Sequence, residues 1–330
     1  MLKIIVDCMG GDNGPSPIVA AIKSFLADNK DVEVIAVGRK DELKELEGVC
    51  RIIDAPDIVP MTAGALDVLR LKNSSMMVAL QTMKEEGIHA AISCGSTGGF
   101  LASATITLKM IPGIKRAALV TAIPSLEKGK FMTLLDCGAN NENTAEELCQ
   151  FAIMGRLYSQ TVLENSDPKT YLLSNGSEDE KGLPEVKEAN KLLREQNFPN
   201  FMGNIEGRDA LLEPEIDVLV AGGYVGNIYL KGVEGTAKMM SSLLKGAFKT
   251  NFLTKIGYLF SRKGINAMSK QMDYKAVGGA LLLGINGVVV KAHGNSDEKG
   301  FRSALNLARK LAAADVVNKI KEGIESERNK

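Results

Sequence analysis

Tryptophan is absent from these 330 residues, histidine occurs twice, and aromatics make up only 5%. The five cysteines, Cys8, Cys50, Cys94, Cys137 and Cys149, form no C-x-x-C pair and no cluster with histidine. That excludes a recognisable zinc site and a disulfide framework, and it suits a reducing compartment. No apolar run approaches the ~20 residues that a membrane span needs. Net charge is missing too, since 40 Lys and Arg balance 40 Asp and Glu. A balanced chain has no general attraction for nucleic acid, so any basic patch must be local. The opening Leu2-Lys3-Ile4-Ile5-Val6-Asp7 reads as a strand and not as a signal peptide. The expected location is cytoplasmic.

What is present is an alternation of short β-branched runs with longer amphipathic stretches. Buried strands are predicted over 4–7, 32–37, 90–93, 118–122, 132–136, 170–173, 217–221 and 287–290. Helices are predicted over 17–28, 143–160, 184–196 and 303–320. Asn143 or Thr144 would cap the second, and Pro184 opens the third. Such alternation implies an α/β fold, a three-layer α/β/α sandwich around a largely parallel sheet. No linker, repeat or low-complexity tract divides the chain, so 1–330 is expected to be a single α/β/α unit. The polar tail 321–330 is expected to fray.

Six predicted strands run into glycine-bearing loops: Gly10-Gly11, Gly95 to Gly99, Gly138-Ala139-Asn140, Asn175-Gly176, Gly222-Gly223 and His293-Gly294. In an open parallel sheet these loops share the carboxyl edge, where ligands bind. Glycines admit backbone N–H groups close to a ligand, and helix N-termini add positive potential. The combination favours an anion, phosphate above all. Any one of these loops would equally serve as a turn or a cap. A P-loop and the G-x-G-x-x-G spacing are both missing, so neither a nucleoside triphosphatase nor a Rossmann dehydrogenase is supported. No metal or cofactor is expected.

Seven motifs carry a family resemblance. Asp7 to Pro15 reads D-C-M-G-G-D-N-G-P, and Ser93 to Gly98 reads S-C-G-S-T-G. Asp136 to Asn140, Asn175 to Gly182 with Gly203 to Asp209, Asp217 to Gly235, Met272 to Lys275, and Gly284 to Asp297 follow in order. Together they resemble the PlsX family of phosphate acyltransferases along nearly the whole chain. The resemblance implies a fold similar to isocitrate and isopropylmalate dehydrogenases and phosphotransacetylases, in a homodimer. It implies conversion of acyl-acyl carrier protein and inorganic phosphate to acyl-phosphate and free carrier. The product would feed a glycerol-3-phosphate acyltransferase and phospholipid synthesis. The chain departs from the family at Gly222, where Asp is usual, and at Cys8, Cys94, Ser96, Val277 and Leu281.

A thioester has a good leaving group, and phosphate is already an anionic nucleophile. The protein therefore needs to orient the two and to stabilise the developing oxyanion. Matching positions imply two catalytic residues. Lys181 would hold phosphate or transition-state charge, and Asn227 would donate to the thioester oxygen. On residue type alone Lys181 is a solvated lysine, and Asn227 a cap or turn residue. Gly95, Ser96, Thr97, Gly98, Asn140 and His293 are the candidates for holding phosphate. Asp7 and Asp136 would organise loop N–H groups, and His89 would be structural. Cys94 and Cys137 lack a paired histidine and read as small core residues.

Charge balance fails locally. Between residues 235 and 272 there is no Asp or Glu, while Lys238, Lys245, Lys249, Lys255, Arg262, Lys263 and Lys270 all fall there. Phe248, Phe252, Ile256 and Phe260 recur every fourth residue and predict one apolar helical face beside a basic one. That segment would meet an acidic acyl carrier protein, dip into an anionic membrane, or pack into the core or a dimer interface. Two other functions remain open at this level: a short-chain acyl-CoA phosphotransacylase, and an inactive scaffold binding carrier protein or membrane.

Overall fold

The computed structural model describes residues 1–271 and 278–328. The Met272 to Lys275 motif, Val277 and the last two residues lie outside the described residues. Eleven strands are described: β1 (Leu2–Asp7), β2 (Val32–Gly38), β3 (Arg51–Asp54), β4 (Ala90–Ser93), β5 (Ala118–Pro124), β6 (Phe131–Leu135), β7 (Thr170–Ser174), β8 (Phe201–Glu206), β9 (Val218–Val220), β10 (Ala280–Leu283) and β11 (Val288–Lys291). The helices are α1 (Ser16–Asp28), α2 (Ala65–Arg70), α3 (Ser75–Glu86), α4 (Thr97–Leu108), α5 (Ala145–Val162), α6 (Pro184–Glu195), α7 (Gly207–Leu212), α8 (Gly223–Lys249), α9 (Phe252–Gln271), α10 (Glu298–Ala313) and α11 (Val316–Arg328).

The strands form one sheet in the order β3-β2-β1-β4-β11-β10-β5-β6-β9-β7-β8. Two apolar layers sandwich it. One gathers Ile22 and Phe25 of α1, Phe151 and Tyr158 of α5, and Phe301 and Leu305 of α10. The other gathers Met76 and Leu80 of α3, Phe100 and Ala104 of α4, and Leu119, Leu219 and Val289 from the strands. Alternate residues of a strand serve opposite layers, as the pleat requires: Val288 and Val290 face the first, Val289 the second. The result is the expected three-layer α/β/α fold.

The sheet corrects one expectation. Pairing is parallel through β3, β2, β1, β4 and β11, and again through β6, β9, β7 and β8, but it is antiparallel at β11–β10, β10–β5 and β5–β6. These three reversals turn the second group of strands against the first. The loops after β1, β4 and β11 therefore leave one edge, and those after β6, β7 and β9 leave the other.

Three strands escaped the sequence reading for local reasons. β3 is an edge strand closed by Arg51 and Asp54 and only partly buried. β8 is the opposite edge, interrupted by Gly203 at a φ of 95°. β10 is a run of leucines, which favour helix as readily as strand. Conversely, the predicted 303–320 helix is two helices, α10 and α11, broken where Asp315 takes a φ of 51°. The expected fraying from residue 321 is not seen, because α11 continues to Arg328. At α5 the cap is Thr144: its Oγ1 accepts from Glu147 N at 3.3 Å, and Glu147 Oε2 accepts from Thr144 N at 3.1 Å.

The basic segment is not one helix. Its first part is the distal half of α8, and the rest is α9, with the chain reversing at Thr250 and Asn251. Phe248 thus lies on a different helix from Phe252, Ile256 and Phe260, and its ring meets Tyr258 edge-on at 5.5 Å. Among the described residues, none from 235 to 269 is buried. Of α8 only Gly223 and Gly226 are buried, while Phe252 is 76% and Phe260 87% exposed. Leu253 and Leu259 are exposed beside them, as are Lys249 and Lys255. No helix of the described residues is long and apolar enough to cross a membrane.

Candidate active site

A cleft of about 790 Å³ opens over the second face of the central strands. Its floor is β5, through Leu119, Thr121 and Ile123. One wall comes from the N-terminus of α4 and the turn after β11. The other comes from the loop after β6 and the first turns of α8. Loops from both sheet edges thus reach one cleft because it lies across the sheet face where the strand direction reverses.

The lining is chemically divided. Thr97, Gly98, Asn227, Lys291 and His293 supply polar groups, joined by Thr121, Ser125, Thr236 and the Lys231–Glu234 ion pair at 2.8 Å. Ile123, Leu126, Leu212, Leu230, Val233 and Met268 supply apolar wall. The cleft is therefore amphiphilic, able to receive an anion and an aliphatic chain together.

Close approach of backbones builds the polar end. A β-carbon on Gly226 would fall 1.9 Å from Asp136 O, and one on Gly223 would fall 2.2 Å from Asn140 O. Only glycine lets α8 start so near the loop after β6, which explains the G-G-x-x-G-N spacing. That approach presents Asn227 to the cleft, packed on Gly138, where a β-carbon would stand 3.2 Å from Asn227 Cγ. Gly222 is the N-cap of α8 and supplies no side-chain cap. Asn143 substitutes from the preceding loop: its Oδ1 accepts the Gly223 N–H at 3.0 Å.

Asp136 holds its loop together. Its carboxylate accepts the N–H groups of Leu119 (2.9 Å), Gly138 (3.0 Å), Ala139 (2.9 Å) and Asn140 (3.0 Å), and the Asn140 amide at 2.7 Å. Burial pushes its pKa up, and these donors pull it partly back. Asp7 does the same under the other wall. It accepts from the Ser75 and Ser93 hydroxyls at 2.6 Å each and from Met9 N at 3.2 Å, and burial again raises its pKa. Both carboxylates organise loops, as expected from the sequence. His89 accepts the Lys3 N–H on its Nδ1 at 3.1 Å. Burial pushes the Cys94 thiol up to about 12 and raises Cys137 well above its ordinary value, so neither suits a nucleophile.

The predicted site residues divide accordingly. Thr97, Gly98, Asn227 and His293 line the cleft. Gly95 and Ser96 do not. Gly95 is buried against Gly10, and its N–H goes to Ser93 Oγ at 2.9 Å. Ser96 caps α4, accepting from Gly99 N at 3.3 Å and donating to Ala63 O at 2.9 Å. Asn140 turns inward: its amide donates to Ala117 O at 2.8 Å and to Asp136, so both hydrogens are committed. Lys181 is exposed in a turn after β7, outside the cleft, with its N–H on Glu178 O at 3.0 Å. Sequence reasoning missed Lys231 and Lys291. A lysine ending the apolar run Val288-Val289-Val290 was the available signal for the second.

Comparison with known proteins follows the same lines. Residues 2–319 match the family described as fatty acid synthesis protein. A phosphate acyltransferase of Clostridium perfringens is 39% identical over 331 residues, covering 98% of this chain and 97% of its own length. A phosphate acyltransferase of Thermoanaerobacter pseudethanolicus is 39% identical over 333 residues, with 98% of each chain covered. Among solved structures, a phosphotransacetylase from Streptococcus pyogenes superposes with a TM-score of 0.60 at 17% identity, covering 96% of this chain and 94% of its own. A branched-chain phosphotransacylase from Enterococcus faecalis gives 0.58 at 15% identity, covering 94% and 99%. These two share the fold. The match over nearly the whole length to the phosphate acyltransferases is closer in kind, and this chain belongs to the PlsX family of phosphate acyltransferases.

Proposed function

We propose that the chain's acyl donor is a long-chain acyl-acyl carrier protein, and that the amphiphilic cleft is where phosphate meets the thioester. The observation that carries this reading is the division of the cleft into a polar end and an apolar wall. A phosphate oxygen attacks the thioester carbonyl carbon. The C–O bond forms, the C–S bond breaks, and the carrier thiolate leaves and takes up a proton from solvent. The products are acyl-phosphate and free carrier. Asn227 donates its amide N–H to the carbonyl oxygen as charge develops there. The first-turn N–H groups of Thr97 and Gly98, together with His293, hold the phosphate at the positive end of α4.

A cleft of about 790 Å³ is large among small-molecule sites, and a two-carbon acyl group would leave its apolar wall open. That favours a long chain over the short-chain acyl-CoA alternative. The acid-free hairpin supports contact with an acidic carrier protein or an anionic membrane surface. The product then passes to a glycerol-3-phosphate acyltransferase for phospholipid synthesis. The protein works as a homodimer, and Lys181, outside the cleft of its own chain, contributes charge through that assembly.

The test is acyl-phosphate formation from palmitoyl-acyl carrier protein and phosphate by wild type, Asn227→Ala and Lys181→Ala. Loss of one oxyanion donor should lower kcat roughly a hundredfold in Asn227→Ala, with an unchanged fold. Full activity in that variant would remove the cleft from the chemistry. Full activity in Lys181→Ala would remove only the role given to Lys181.

A further inference from the structure

Lys291 is the buried cation that the sequence reading passed over. It ends β11, paired with Ser93 of β4 and Ala280 of β10. Strand alternation gives it the parity of Val289, so its side chain falls on the cleft face of the sheet. It lines the cleft while only 8% of it is exposed. Its Nζ donates to Cys94 O at 3.3 Å and to Ala292 O. Those contacts hold the ammonium below the loop that feeds the N-terminus of α4.

A buried ammonium is costly unless its charge is answered. Two carbonyls answer it in part. Among the described residues no ion pair to it is found, and the nearby Asp7 carboxylate is already engaged by Ser75, Ser93 and Met9. Burial lowers the lysine's pKa, while Cys94, Asp7 and Asp12 oppose that shift. Beside it, Thr97 and Gly98 occupy the first turn of α4, where N–H groups have no intrahelical acceptor. One charged donor and two backbone donors therefore line the same cleft, and the contact of Lys291 Nζ with Cys94 O ties the ammonium to the loop that leads into Thr97.

We propose that Lys291 is the phosphate-binding cation of this enzyme: its ammonium holds the nucleophilic phosphate at the α4 N-terminus throughout the reaction and exchanges no proton with it. This rests on the reading of the cleft as the acyl-transfer site. It assigns the charge that binds phosphate to a residue inside the cleft of the same chain.

The experiment varies inorganic phosphate against wild type, Lys291→Met and Lys291→Arg, with palmitoyl-acyl carrier protein as donor. Methionine keeps the stem without the charge. Losing a charge-assisted contact should raise KM for phosphate roughly tenfold to a hundredfold in Lys291→Met, with KM for the acyl donor changed by less than about twofold. Lys291→Arg should recover most of the phosphate affinity. Inorganic phosphate should raise the melting temperature of wild type and not of folded Lys291→Met. If Lys291→Met does not fold, Lys291→Gln is put through the same two measurements. Unchanged KM for phosphate in a folded, uncharged variant overturns the proposal. If Asn227→Ala loses turnover in that same case, the cleft still stands as the site; if Asn227→Ala is also fully active, both readings fall.

Discussion

Asp136 shows what a single side chain does in this fold. Five donors converge on one carboxylate, and four of them are backbone N–H groups of the β5 and β6 region. Asparagine at that position would turn an NH2 group toward donors and leave buried N–H groups unpaired. Asp136→Asn should lower the unfolding free energy by about 2–4 kcal/mol, read as a shift in the urea midpoint. A shift below about 1 kcal/mol would mean that the loop does not depend on this carboxylate. At this scale the sequence was informative wherever residue type dictates geometry. The two buried aspartates were legible as organisers of N–H groups because each stands between a strand and a glycine turn. Thr97, Gly98 and His293 stand on such strand-end loops too, whereas Asn227 was reached through the family resemblance and not through its residue type. Ser96 and Asn140 were misread, since the sequence does not reveal whether a polar side chain turns out to a ligand or inward to its own backbone. Lys291 was overlooked because a lysine at a strand end normally reads as solvated.

At the scale of elements, the α8–α9 hairpin stands out by what it does not bury. Phe252, Leu253, Leu259 and Phe260 are all more than two-thirds exposed, on a helix without any acidic residue. Exposed apolar groups of this density mark a contact surface. The amphipathic pattern was readable in advance, but its continuity across 248–260 was not. The turn at Thr250 and Asn251 splits the period, with Asn251 Oδ1 accepting from Thr254 N at 2.9 Å as the cap of the second helix. Phe260→Glu should weaken binding to anionic phospholipid vesicles in a sedimentation assay and leave the unfolding midpoint unchanged, because the ring joins no core. Equal sedimentation of variant and wild type would direct the hairpin to a protein partner instead.

For the molecule as a whole, the layers were legible and the strand directions were not. Alternating strands and helices predict a sandwich, and each buried run contributes to it. The reversal at β10 and β5 depends on long-range pairing, which no local pattern encodes. Yet that reversal builds the cleft. It sets the loops after β4 and β11 across the sheet face from the loop after β6 and the start of α8, and the gap between them is the cleft. At Gly222, which has no side chain to cap α8, Asn143 reaches the helix end instead. The most direct measurement compares donors at saturating phosphate: palmitoyl-acyl carrier protein against acetyl-CoA, with acyl-phosphate and free thiol assayed together. Each buried methylene is worth about 0.8 kcal/mol, so the apolar wall predicts a preference of well over a hundredfold in kcat/KM for the long-chain carrier thioester. Equal or better use of acetyl-CoA would contradict the account, leaving the long apolar wall of the cleft without a substrate to bind.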